Sequence, residues 1–315
     1  MRTKALRGVG ATVAVALAAG CSGIDGAGGP GTATPTPWSS VAPLTVDGMD
    51  LTPQLDEVTG AVVVPLDRFE TTDEERAVLT SAGSVALALC ARERGVDFVA
   101  PPPGTDPVYL SEHFYGPWTV AQAERFAFVE PMSDADLAAN GVPGAGGVHG
   151  LENRPPHPNT LLTEEDREVV EGCAASGAGD RFTEAHQLTG PWTDGIRAAQ
   201  MALMRQDETA ALFDELGACF TTRGMAQDPE VPWSVVGAGS DGISEQQVQL
   251  ALAVVSCKEE IGFTPRMADL YARATLPVVA EHADELVARR ATTDEALAEA
   301  RELIAAHADV LWDWP

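Results

Sequence analysis

Lysine is nearly missing from this chain of 315 residues: Lys4 and Lys258 are the only two. Arginine raises the basic total to just 20, against 47 Asp and Glu. Phosphate backbones are gripped by surface Lys and Arg, so nucleic acid is excluded as a partner. Anionic lipid faces and anionic wall polymers are disfavoured for the same reason. Scarce lysine beside abundant Ala and Arg is also what a GC-rich coding sequence produces, so the acidity reads first as a solvated surface.

Chemical motifs are missing too. No Cys-x-x-Cys spacing occurs, which argues against a zinc site or a reactive thiol pair. There is no His-Glu-x-x-His and no Gly-x-Ser-x-Gly, and the glycines of 141–150 lack the Lys-Ser/Thr that a phosphate loop needs. Carboxylates are so numerous that no pair suited to glycoside cleavage stands out. His113, His149, His157, His186, His282 and His307 are scattered. His149 and His157 flank Glu152 in a Gly- and Pro-rich loop and with Asp166 could collect a cation, but singly each histidine reads as a surface or core residue. No catalytic residue, metal ligand set or cofactor is therefore assigned.

Long apolar runs are likewise absent, except for a short one at the start that reads as an address. Arg2, Lys4 and Arg7 precede the apolar stretch Val9 to Ala19, and Ala18-Ala19-Gly20 places small residues before Cys21. About twelve helical residues reach roughly 18 Å, short of a hydrocarbon core of about 30 Å, so the segment is expected to be a cleaved signal over residues 1–20. Leu17-Ala18-Ala19-Gly20-Cys21 resembles the bacterial lipobox, although Leu17 stands one place earlier than the usual leucine. That resemblance implies a lipid on Cys21, a membrane partner held through it, and a location on the extracytoplasmic face. Without residues 1–20 the chain keeps 17 Lys and Arg against 47 Asp and Glu, a formal charge of −30. Residues 21–44 are mostly Gly, Ser, Thr, Ala and Pro, a flexible linker spanning roughly 25–30 Å.

The folded part is expected over 45–315, with two subdomains, 45–190 and 191–315, as one way to divide it. Its four cysteines, Cys90, Cys173, Cys219 and Cys257, read as two disulfides in an exported chain. Three of them share the pattern Cys-x4-Gly-apolar: Cys90 with Gly95-Val96, Cys219 with Gly224-Met225, and Cys257 with Gly262-Phe263. Apolar residues at helical spacing precede each, so each sulfur belongs to a buried helical stripe ended by a left-handed glycine. Cys173, in Glu-Gly-Cys-Ala-Ala-Ser-Gly, reads as a partner supplied by a loop. Three connectivities are open. Pairing Cys90 with Cys173 and Cys219 with Cys257 is favoured because each bridge then staples one half of the domain.

Helices are expected over 73–94, 133–140, 182–188, 195–205, 208–223 and 244–261, with one after Thr163, one from Pro265 toward Arg290, and a last one from Asp294 to about Leu311. Ala61 to Pro65 alone asks to be a strand. The class is thus all-α: a multi-helix domain with long loops at 98–117 and 141–160, at most one or two short strands, and two disulfides. Phe114, Tyr115 and Trp118 cluster in one of these loops and, with Trp233, form the candidate ligand or partner surface.

Several of these residues also resemble a known group. Val64-Pro65-Leu66-Asp67 ahead of the Cys90 helix, Tyr115-Gly116, Asn159 before Thr163, Gly172-Cys173, the Cys219 helix before Pro232-Trp233, and the Cys257 helix resemble an actinobacterial Cys-paired envelope lipoprotein family of unknown function. In that group the Cys219-type residue is usually followed by Met, where this chain has Phe220. The resemblance implies secretion, helices and disulfides, and carries over no catalytic residue. The expected function is a non-catalytic binding or accessory lipoprotein of the envelope, engaging an envelope protein or a cationic ligand. The alternative is a secreted hydrolase of wall polymers using acidic residues.

Overall fold

A computed structural model describes residues 45–46, 48–104, 114–132, 137, 156–187 and 189–312. The signal, Cys21 and the linker lie outside the described residues, as do His113, His149, Glu152 and Trp314, and the 133–140 helix apart from Leu137. Among the described residues the chain is helical with two small hairpins. Strand β1 (Thr45–Val46) pairs antiparallel with β2 (Met49–Asp50), and β3 (Gln54–Asp56) with β4 (Ala61–Val63). The valine run thus finds a partner in a segment too short to show periodicity.

A one-turn 3-10 helix (Pro65–Phe69) leads to α1 (Asp73–Glu93), which Thr72 and Glu75 open with a reciprocal capping box. Then come α2 (Val120–Phe126), α3 (Glu164–Ala175), α4 (Asp180–Ala185), α5 (Thr193–Leu203) and α6 (Asp207–Thr222). The last three are α7 (Glu245–Ile261), α8 (Phe263–Glu281) and α9 (Ala283–Ala306). No described helix is long and apolar enough to cross a membrane.

The three Cys-x4-Gly-apolar segments end as their pattern predicts. Gly95, Gly224 and Gly262 all have positive φ. After α1, Gly95 N–H bonds Arg92 O and Val96 N–H bonds Ala91 O; after α6, Gly224 and Met225 repeat the pair on Thr221 and Phe220. This crossed pair satisfies carbonyls that the helix end leaves orphaned. The disulfides are Cys90–Cys173 and Cys219–Cys257, with Cα atoms 5.9 and 5.8 Å apart.

Two expectations need correction. Cys173 is not on a loop: it is fully buried in the last turn of α3. Gly172 beside it leaves room for the Arg94 guanidinium, and the helix continues until Ser176, whose hydroxyl bonds Cys173 O. The amphipathic run from Pro265 is also not one helix to Arg290. It breaks at His282, with Val279 of α8 and Leu286 of α9 in one core cluster with Trp192 and Ile196; farther along, α9 buries Ala296, Leu297 and Ala300 beside Leu79 and Ala82 of α1, so the helix expected from Asp294 is the second half of α9. The largest core cluster joins α6, α7 and α8 around Leu216, Phe220, Val254, Phe263 and Met267.

Candidate ligand site

Phe114 packs on the largest core cluster, its ring centroid 5.9 Å from that of Tyr271 on α8. Tyr115 has φ of 58° and Gly116 of 82°, two successive left-handed residues. For a tyrosine that conformation costs roughly 1–2 kcal/mol and persists only where surroundings impose it. Here the imposing group is Lys258 of α7, whose Nζ donates to Tyr115 O at 2.6 Å and Pro117 O at 2.9 Å. The same ammonium lies 5.6 Å from the Phe263 ring centroid. Lys258 is 2 % exposed, and burial pushes its pKa down to about 7, while the two carbonyls and the ring face favour the charged form.

Two cavities border this pinned segment. One, of about 240 Å³, is lined by Val62 and Val64, Asp67, Phe114, Tyr115, Gln200 and Tyr271. Strand β4 supplies Val62, the 3-10 turn supplies Asp67, α5 supplies Gln200, and α8 supplies Tyr271. The Asp67 carboxylate accepts Val64 N–H at 2.8 Å, so the turn fixes its position. Gln200 Nε2 donates to the Tyr271 hydroxyl. Burial raises the Tyr115 phenol to about 12, so it stays neutral. The second cavity, also about 240 Å³, lies along Gly116 and Pro117 and includes Phe128, Asp228, Trp233 and Ser234.

Of the four aromatics singled out from sequence, three meet. Phe114 and Tyr115 stand at 87° with centroids 4.7 Å apart, and Tyr115 and Trp233 at 81° and 5.2 Å. Trp118 stands apart: it is buried, and its Nε1 donates to Gly60 O at 2.7 Å, tying the loop to the β3–β4 hairpin. The residues proposed to gather a cation are engaged locally where they are described. His157 Nδ1 accepts Asn159 N–H, and Asp166 caps α3 through Thr163. Trp192 is a core residue.

Lys258, Gln200 and Tyr271 belong to no sequence motif, and Asp67 enters the sequence reading only within Val64-Pro65-Leu66-Asp67, not as a site residue. One signal existed for Lys258: it lies four residues after Val254 and seven after Ala251, on a stripe that is otherwise apolar. No family model, no curated protein and no solved structure matches this chain.

Proposed function

We propose that this chain is an extracytoplasmic lipoprotein, anchored by a lipid on Cys21, whose helical domain binds a ligand or envelope partner and performs no chemistry itself. The observation that carries the reading is the cysteine arrangement. Two disulfides take up Cys90, Cys173, Cys219 and Cys257, leaving Cys21 alone outside the set. Bridges of this kind persist on the oxidising side of a membrane, where a lipobox cysteine is also modified. The family resemblance supports the same address. Among the described residues each of the two cavities brings one carboxylate, Asp67 or Asp228, whereas glycoside cleavage needs a facing pair about 5 to 9.5 Å apart, which favours binding over hydrolysis.

The test is fractionation of an actinobacterial host expressing the full chain or Cys21→Ser. The wild type is expected in the membrane fraction with a diacylglyceryl thioether on Cys21 by mass spectrometry, and the variant in the soluble extracytoplasmic fraction. A wild-type chain found in the cytoplasm with five free thiols would overturn the proposal.

A further inference from the structure

We propose that the cavity along Gly116 and Pro117 is a binding site for one neutral sugar ring, either a free monosaccharide or the terminal residue of a glycan. The proposal rests on the reading of the chain as a binding protein and is independent of its lipid anchor.

Among the described lining residues two are aromatic, Phe128 and Trp233. Trp233 packs on Tyr115 and Phe213, with centroids 5.2 and 6.1 Å away, but neither of those rings is on the described lining. Phe128 and Trp233 border the same cavity without a ring contact between them, so the space they flank is open. Aromatic faces carry negative charge density and receive the C–H groups on the flat side of a pyranose.

Polar atoms on the same lining are free. Among the described residues the Trp233 Nε1–H and the Ser234 and Ser240 hydroxyls have no hydrogen-bond partner, and none of the three is sealed from solvent. Asp228 uses Oδ1 for the Glu230 and Val231 N–H groups, at 2.8 and 3.2 Å, and keeps Oδ2 as a spare acceptor. The set therefore offers a fixed donor, a fixed acceptor and two hydroxyls that can do either. An anion would meet the Asp228 carboxylate, and a cation would meet the positive end of the indole N–H. Hydroxyl groups both donate and accept, so they satisfy both, and a sugar carries them around an apolar ring.

Size and rigidity agree with this. Gln247 accepts Gly239 N–H and donates to Gly237 O, while Gln227 donates to Pro232 O and Phe213 O. Lys258 holds Pro117 O at 2.9 Å, so the walls are fixed before any ligand arrives. At about 240 Å³ the cavity falls below the roughly 300–1,000 Å³ of drug-sized sites, which suits one ring. The formal charge of −30 outside residues 1–20 disfavours acidic sugars.

Calorimetric titration of the full chain uses the methyl glycosides of the neutral hexoses and pentoses, with cyclohexanol as an apolar ring bearing one hydroxyl. At least one glycoside is expected to bind saturably at millimolar concentration or below, at least about tenfold more tightly than cyclohexanol. Asp228→Asn keeps an acceptor for the Glu230 and Val231 N–H groups but turns the spare oxygen into a donor. It should weaken that glycoside about tenfold and leave cyclohexanol unchanged. Ser240→Ala, on the exposed rim, should weaken the glycoside about threefold, a second test if Asp228→Asn does not fold. Tighter binding of an oligosaccharide ending in the same ring points to a glycan end and equal binding to a free sugar; either result sustains the proposal. A folded wild type that binds no glycoside of the set saturably overturns it, as does equal affinity for cyclohexanol or unchanged binding by both variants. Cys21→Ser separates the two readings. If it binds the glycoside normally while the wild type fails to reach the membrane, the anchoring is wrong and the site stands; a membrane-bound wild type without binding overturns the site alone.

Discussion

Lys258 occupies a helix position that periodicity reserves for an apolar side chain, and its ammonium is held by two loop carbonyls. The linkage follows from its pKa. The folded chain releases this proton near pH 7, whereas an unfolded chain holds it to the ordinary value of 10.5. Between these limits the unfolded state binds more protons, so stability rises with pH, by at most about 1.4 kcal/mol per pH unit from this one group. Urea unfolding at pH 6, 8 and 10 is expected to show that rise in the wild type and to lose it in Lys258→Met. The Tyr115 phenol, raised by burial to about 12, stays protonated in the folded chain through this window, whereas the unfolded phenol ionises near 10, so this group opposes the rise at its upper end. Sequence placed Tyr115 in the aromatic set, because loop aromatics stand out among polar neighbours. It did not place Asp67 or Tyr271 there, since nothing in local spacing says that a turn near residue 67 and a helix near residue 271 face one cavity.

Helix ends were the most legible elements, because caps are written in adjacent residues. Thr72 with Glu75, Thr163 with Asp166, and the three Cys-x4-Gly segments all act within a few positions of themselves. The α8–α9 break was not legible, because Glu281-His282-Ala283 carries neither the glycine nor the proline that marks a helix end. The close crossing of α1 and α4 is similarly remote. Gly179 caps α4 with φ of 93°, and a Cβ there would lie 2.8 Å from Gly83 O of α1. Gly179→Ala meets both the unfavourable backbone region and the neighbouring helix, and is expected to cost about 2–3 kcal/mol by chemical denaturation. Gly95→Ala meets open space and should cost only the backbone term, about 1 kcal/mol.

Across the whole molecule, distant parts of the chain are tied by charge and by covalent bonds. Arg290 of α9 reaches Glu75 at the start of α1 through two hydrogen bonds of 2.6 and 3.0 Å. The guanidinium holds the Glu75 carboxyl below its ordinary 4.5, so this contribution is present above that pH and is lost on acidification below it. Glu75→Gln should cost about 1–2 kcal/mol at neutral pH, a figure kept modest because both side chains are about a fifth exposed, and should cost progressively less as the pH falls below 4.5. Disulfide closure across 83 and 38 residues is expected to stabilise by about 4 kcal/mol per bridge. Thermal melts with and without reductant should therefore differ by tens of degrees, or show no folded state once the bridges are reduced. The near absence of lysine has an experimental consequence. Beyond Lys4, the only side-chain amine is sealed at Lys258, so amine-reactive labels and crosslinkers should leave the folded domain almost untouched. Slow acylation of Lys258 would then clock the opening of the Tyr115–Pro117 segment, a timer already built into the chain.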